Sequence, residues 1–358
     1  MSQFRKIGVL SSGGDAPGMN AAIRAITRKA LSRGVEVMGI YGGYKGLING
    51  DIQPLTTHSV SNIVTRGGTI LYSSRCPEFK TESGMKKALE NCKKNNIDAV
   101  IALGGDGTFR GATDLTAHGI PSVGIPCTID NDIPATEYTI GFDTSLNTIL
   151  SMIDYLRDTA ESHARCIVVE VMGNHCGDLA LYSAIASGAV SVAIPEIKFD
   201  EEKAVARIQK ARDNGKRGLI AVVSEGVLNV GNLKYSEYFA GKISAETNIE
   251  TKFARCGHIV RGGNPTLRDR VIATQMGTAA VDAILDNKSN LVITYNDGQV
   301  SYCDIQYALT LDKVYKNQLS ESELAAMDPE ILKKAKETCE ARTETRKKLY
   351  QMAYDVCQ

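Results

Sequence analysis

The run Ala99-Val100-Ile101-Ala102-Leu103-Gly104-Gly105-Asp106-Gly107-Thr108 decides how this chain is read. Five consecutive apolar residues that end in a glycine turn and open a helical segment are the pattern of a strand buried on both faces and feeding a helix. The pattern recurs on either side. Ile7–Leu10, Glu36–Ile40, Ser122–Ile125, Ile167–Val171, Ser191–Ile194, Leu219–Val223 and Leu291–Tyr295 read as strands of the same kind. Helical segments are expected near 19–33, 84–95, 109–118, 145–160, 202–213 and 266–287. This alternation predicts an α/β protein of doubly wound, mainly parallel sheets, and a chain of 358 residues has room for two such domains. In such sheets ligands bind beyond the carboxyl ends of the strands, so the loops that follow strands carry the chemistry.

Composition removes several function classes. Lys+Arg and Asp+Glu are equal at 41 each, so no basic field exists for a nucleic-acid partner. No run approaches the ~18–20 apolar residues of a membrane span. The opening MSQFRKIGVLSSGG leads straight into a strand, so no signal peptide is expected. Nine cysteines lie scattered without CxxC pairing, which argues against a disulfide framework or a zinc site and for a cytoplasmic location. Near the C-terminus, Asp328-Pro329-Glu330 is a helix start, charges crowd 333–348, and Leu349, Met352, Ala353 and Val356 form an apolar stripe. A terminal helix docked on its own subunit is the expectation, ahead of a helix for a separate partner.

Three loops stand out. Ser12-Gly13-Gly14-Asp15-Ala16-Pro17-Gly18 follows the first strand. It suits backbone N–H groups that cradle phosphate at a helix N-terminus, and equally a turn that is merely tight. Gly104–Thr108 adds an acid to such a turn, and a carboxylate is the ligand type Mg²⁺ prefers; Asp106 could otherwise cap the helix behind it. Pro126-Cys127-Thr128-Ile129-Asp130-Asn131-Asp132 places two carboxylates and a hydroxyl after a third strand. Phosphoryl transfer to an alcohol needs a base and neutralisation of the moving charge, though Asp-Asn-Asp is also a common turn.

SSGGDAPGMNAAIR (11–24), RGGT (66–69) with YSSR (72–75), GGDGT (104–108), TIDNDI (128–133), YTIGFDT (138–144), RDTAESH (157–163), VEVMG (169–173) with CGDLAL (176–181), SEG (224–226) and GHIVRGGNP (257–265) follow one another in order. Over roughly residues 5–305 the chain resembles the bacterial-type phosphofructokinases, enzymes that phosphorylate fructose 6-phosphate. GGDGT alone also occurs in other kinases; TIDNDI and GHIVRGG make the resemblance specific.

The resemblance implies two doubly wound domains: 1–138 with about 251–303 for the nucleotide, 139–250 with about 304–320 for the sugar phosphate, then a helical extension over 321–358. It implies ATP as phosphoryl donor, Mg²⁺ on Asp106, and Gly14, Tyr44, Arg75, Cys76, Gly105, Gly107 and Thr108 around the nucleotide. Asp130 becomes the base for the sugar 1-hydroxyl, with Thr128, Asp132 and Arg75 beside it. Met172, Gly173, Asn174, Glu225, His258 and Arg261 fall at the sugar phosphate. Arg165 and Lys252 would reach the 6-phosphate of a neighbouring subunit, so a homo-oligomer, dimer or tetramer, with a shared active site is expected.

Departures from the family pattern fall in the donor loop, among the sugar-phosphate residues and at the effector site. Gly107 is the residue of the ATP users, while Cys127 is neither their glycine nor the lysine of the pyrophosphate users, so a pyrophosphate-dependent enzyme is the competing reading. Asn174 and Lys252 stand where arginines are expected, which keeps open another ketose phosphate as substrate or a catalytically weak regulatory subunit. Of the family's effector site, Arg24, Arg28, Arg157, Lys216 and Arg217 are present. Thr57, Asn62, Val190, Asn214 and Gly218 replace its other members, so control by ADP and phosphoenolpyruvate is expected to be lost.

Overall fold

The structure, a computed structural model, describes residues 4–356. In chain order its elements are β1 (Lys6–Ser11), α1 (Met19–Ser32), β2 (Glu36–Ile40), α2 (Gly43–Asn49), β3 (Ile52–Leu55), α3 (Glu82–Lys94), β4 (Ala99–Gly104), α4 (Asp106–Ala117), β5 (Ser122–Pro126) and α5 (Phe142–His163). Next come β6 (Cys166–Val171), α6 (Asp178–Ser187), β7 (Ser191–Ala193), α7 (Glu201–Asp213), β8 (Leu219–Ser224), α8 (Tyr235–Thr247) and β9 (Thr251–Arg255). The chain finishes with α9 (Leu267–Leu285), β10 (Leu291–Asn296), β11 (Gln299–Asp304), α10 (Ile305–Tyr315), α11 (Glu321–Ala326) and α12 (Pro329–Val356). Contacts divide it into two compact units: Met1–Ile129, Ile133–Thr144 and Arg261–Cys339 form the first, and Asp130–Asp132, Ser145–Val260 and Glu340–Gln358 the second.

The first unit holds a seven-stranded sheet of order β11-β10-β5-β4-β1-β2-β3. Its five inner strands run parallel and its two edges are antiparallel. Every residue of β4 is buried, which is why its sequence is apolar without alternation. The strand order reverses between β1 and β4, and the register Ser11↔Leu103 brings their carboxyl ends level. The loops after β1 and β4 therefore lie at the topological switch point, where ligands collect in such sheets.

Beneath these loops the segment 138–144 is anchored by one fully buried carboxylate. Asp269 accepts hydrogen bonds from the Tyr138 hydroxyl (2.7 Å), the Gly141 amide (2.7 Å), and the Thr144 amide (2.9 Å) and hydroxyl (2.5 Å). Burial pushes its carboxyl above the ordinary range, although these donors oppose the shift.

The second unit has a parallel four-stranded sheet, β7-β8-β6-β9. Its core gathers Val168, Val223, Ile208, Phe239 and Ile243. Four segments fall on different sides of the division from the sequence expectation. Residues 130–132 lie in the second unit and 139–144 in the first. Residues 304–320 lie in the first unit, where Ile305, Ala308 and Leu309 of α10 join its core. Residues 251–260 lie in the second, where β9 pairs with β6. Within the expected extension 321–358, contacts assign residues up to Cys339 to the first unit and Glu340 onward to the second.

The architecture is the doubly wound α/β type expected from the sequence. The strands not foreseen there, β3, β9 and β11, are all sheet edges. Edge strands expose one side to water and lack the apolar run that reveals a central strand, and β3 even carries Pro54. Among the described residues the eight cysteines form no disulfide, and no helix is long and apolar enough to cross a membrane; Cys357 lies outside the described residues.

Candidate active site

In the first unit the loop after β4 is built around Gly104, whose φ of +156° suits glycine. A Cβ there would sit 2.2 Å from Thr108 Oγ1 and 2.4 Å from the Ser12 carbonyl. That closeness lets the Thr108 hydroxyl donate to the Ser12 carbonyl at 3.1 Å, so the two glycine loops are tied together. Gly105 and Gly107 face open space within 4 Å of where a Cβ would stand. With a glycine as its N-cap, α4 has no capping side chain over its first amides, which suits an anion at that position.

Tyr44 braces this loop from beneath: it is buried, donates its hydroxyl to the Thr108 carbonyl at 2.6 Å and stacks on Phe79 at 4.2 Å. Arg75 is exposed, beside a segment in which Ser73 donates to the Gly13 carbonyl (2.5 Å) and Ser74 to the Gly42 carbonyl (2.7 Å). Cys76 is half-buried at the start of a short 3-10 helix. Arg261 reaches the first loop as well, donating to the Asp15 carbonyl at 3.2 Å, and a Cβ at Gly14 would meet its guanidinium.

Asp106 opens α4 with its side chain 40% exposed, and Arg110 (3.2 Å) and Lys316 (3.7 Å) stand beside it. Both cations also approach the buried Asp312, at 3.6 and 2.6 Å. Lys316 and Asp312 carried no signal in the sequence, because nothing local links 312–316 to the loop. Among the described residues no group of three or more His, Cys, Asp or Glu could hold a metal. A single accessible carboxylate nevertheless fits Mg²⁺, which takes one or two carboxylates and completes its octahedron with water and phosphate.

The loop after β5 begins in the first unit. Cys127 donates its amide to the Gly104 carbonyl at 3.0 Å, and Thr128 accepts on its carbonyl from the Thr139 hydroxyl at 2.7 Å. The Cys127 thiol is buried, and burial first, then the Asp269 charge, holds its pKa well above the ordinary value. It is therefore a neutral packing group and cannot stand in for a lysine's charge.

Asp130, Asn131 and Asp132 belong to the second unit. Asp130 is 8% exposed. Asn131 adopts φ +52°, a left-handed conformation that asparagine tolerates better than most residues. Its side chain donates to Asp178 Oδ2 at 2.9 Å. Asp132 Oδ2 accepts from Asn174 Nδ2 at 3.3 Å, and the Gly173 and Asn174 amides donate to Glu225 Oε1 at 3.2 and 3.0 Å. Asn174 itself has φ +54°, which gives a local reason for asparagine where an arginine is expected.

The remaining candidates of this unit are more dispersed. Met172 is half-buried and His258 exposed. Arg165 and Lys252 share Glu250, at 2.7 and 3.3 Å. Arg255, also on β9, pairs with Glu170 (3.4 Å) and Glu237 (2.9 Å). Of the cations that the resemblance places at an effector site, Arg157 donates to the Ser187 carbonyl and Arg217 to the Glu161 carbonyl at 3.1 Å, with Lys216 next to it in the chain; Arg24 and Arg28 lie on α1 of the first unit.

The phosphofructokinase family model matches residues 6–284. The ATP-dependent 6-phosphofructokinase of Bacillus licheniformis is 50% identical over 302 residues, covering 84% of this chain and 93% of that protein. Among solved structures, phosphofructokinase from Saccharomyces cerevisiae superposes with a TM-score of 0.80 at 31% identity, covering 92% of this chain and 49% of that one. The pyrophosphate-dependent phosphofructokinase of Nitrosospira multiformis, 20% identical over 85% of this chain and 84% of its own, shares the fold with a TM-score of 0.76. With most of its length matched in sequence and in fold, the chain belongs to the phosphofructokinase family.

Proposed function

We propose that this protein transfers the γ-phosphoryl group of ATP to the 1-hydroxyl of fructose 6-phosphate, giving fructose 1,6-bisphosphate and ADP. The observation that carries the reading is the half-identity, over 84% of the chain, to a protein named for that ATP-dependent activity. Local chemistry supports the donor: Gly107 leaves open space beside the loop, and Cys127 brings no cation.

In this reading the amides of Gly105–Thr108 and the loop at Gly14 hold the phosphates of ATP, with Arg75 and Cys76 alongside and Tyr44 supporting Thr108. Mg²⁺ would be held by Asp106 and would neutralise charge on the phosphates. Asp130 accepts the proton of the sugar 1-hydroxyl as the oxygen attacks phosphorus, while Thr128 and Asp132 orient that hydroxyl. Met172, Gly173, Asn174, Glu225, His258 and Arg261 bind the sugar phosphate. Arg165 and Lys252 serve the 6-phosphate bound to a neighbouring copy, which makes the working enzyme a homo-oligomer. Phosphorylated substrates of central sugar metabolism are cytoplasmic, and the protein is assigned there.

A coupled assay with fructose 6-phosphate and Mg²⁺, supplied with ATP or with pyrophosphate, tests the reading. Turnover with ATP alone is expected. Turnover confined to pyrophosphate would overturn the donor assignment, and tight sugar-phosphate binding without turnover would leave a regulatory subunit.

A second expectation concerns Asn174. Arginine at this position adds a cation near the Asp132 carboxylate and the transferring phosphoryl group. Asn174→Arg raises kcat several-fold, against the ~10²–10³ that a well-placed donor can contribute. It lowers stability by about 1 kcal/mol, because an arginine must take up the positive φ. Steady-state kinetics and a urea melt on the same sample check both parts; an unchanged kcat means that the charge is already supplied elsewhere.

A further inference from the structure

The C-terminal helix does more than pack. Arg346 of α12 is nearly buried, its side chain 3% exposed, and grips Asp178 with both arms of its guanidinium: Nε to Oδ1 at 2.5 Å and Nη2 to Oδ2 at 3.2 Å. The same group lies 3.6 Å from Glu196 Oε1 and 3.1 Å from the Cys176 sulfur. One turn earlier Arg342 donates to the backbone carbonyl of Asn131 at 2.6 Å and stands 3.9 Å from Asp178 Oδ2. Asp178 in turn accepts from the Asn131 side chain at 2.9 Å.

Asn131 is thus held at its side chain and at its carbonyl, by two routes that both end on α12. It separates Asp130 from Asp132, and its left-handed backbone is a conformation an unsupported loop leaves easily. Burial by itself would raise the Asp178 carboxyl; the Arg346 charge and hydrogen bonds, with Arg342 and Asn131, outweigh it and hold the pKa below the ordinary value. Asp178 therefore remains an anion that accepts hydrogen bonds from Arg346 and Asn131, with the Arg342 charge 3.9 Å away. Two carboxylates, the buried Asp178 and the half-buried Glu196, share the Arg346 guanidinium, so its loss disturbs the whole cluster.

We propose that Arg342 and Arg346 are positioning residues for phosphoryl transfer, fixing the Asp130–Asp132 loop from the C-terminal helix, Arg342 through the Asn131 carbonyl and Arg346 through Asp178. The proposal rests on the reading of Asp130 as the base. A base displaced by about 1 Å can lose ~10²-fold in rate while the substrate still binds. Loss of these contacts therefore acts on kcat and spares KM.

The test uses the full-length protein with ATP, Mg²⁺ and fructose 6-phosphate, and measures kcat, KM and the thermal midpoint of Arg342→Met, Arg346→Met, Arg346→Lys, Lys347→Ala and Asp130→Ser. Arg342→Met is expected to lower kcat about tenfold with KM for the sugar within about twofold. Arg346→Met lowers kcat further. Arg346→Lys falls between it and the parent, because the charge survives and the two-armed grip does not. Lys347→Ala, on the exposed face of α12, behaves as the parent. Arg342 is 15% exposed and sits at the edge of the cluster, so its variant reports even where Arg346→Met fails to fold. Parental kcat in Arg342→Met, alongside an inactive Asp130→Ser, overturns the positioning role and leaves the base intact. An active Asp130→Ser overturns both.

Discussion

Replacing Asp130 by Ser lowers kcat by ~10²–10⁴-fold while KM for fructose 6-phosphate moves by less than about threefold. The asymmetry follows from when the group acts. The 1-hydroxyl keeps its proton in the ground state and sheds it only as the oxygen attacks phosphorus, so a base contributes to the transition state and hardly to binding. Serine preserves the small volume and polarity of a site that is 8% exposed, so it should not unfold the loop. Asn131 and Asp132 keep their own partners, Asp178 and Asn174, in the variant. Steady-state kinetics in both substrates, with circular dichroism as a folding control, decide the matter. A variant with most of its kcat assigns the base elsewhere; a rise in KM that matches the loss of kcat/KM would mean Asp130 binds rather than reacts.

Asp269→Ala is expected to destabilise the first unit by about 3–5 kcal/mol, measured by urea denaturation. Four donors converge on this fully buried carboxylate: the Tyr138 hydroxyl, the Gly141 amide, and the amide and hydroxyl of Thr144. Alanine leaves all four without their acceptor in a dry interior, and each buried donor so stranded costs ~1–3 kcal/mol before water or repacking relieves it. The same change removes the charge that helps raise the Cys127 pKa, so the thiol should become more readily ionised. A loss below about 1 kcal/mol would show that water enters and satisfies the segment, and that the hub is not what holds residues 138–144.

Both residues bear on what was legible in the chain. The loop that carries Asp130 was readable because its pattern is local: TIDNDI follows a strand of five buried residues and needs no distant partner to be noticed. Asp269 was not, since an aspartate in the first turn of a helix looks like an ordinary helix-start acid. Its four donors lie more than a hundred residues away in sequence. Arg342 and Arg346 were hidden in the same manner inside the charged run 333–348, where burial cannot be distinguished from a solvated face. Asn174 looked like the loss of a catalytic cation; its positive φ and its bond to Asp132 give it a structural reason.

The sequence by itself determined the strands of both sheet interiors, the glycine loops behind β1 and β4, and the acid-bearing loop behind β5. Each follows from local rules, an unbroken apolar run for a strand covered on two faces and glycine where a backbone must approach closely. Tertiary structure alone decided the edge strands β3, β9 and β11, the assignment of 304–320 and 251–260 to their units, and the partners of every buried charge. An edge strand is defined by the neighbour it pairs with, and a buried ion by the counter-ion that keeps it charged. Neither relation is written in the residues on either side: Arg346 and Asp178 are 168 positions apart and meet only in the folded chain.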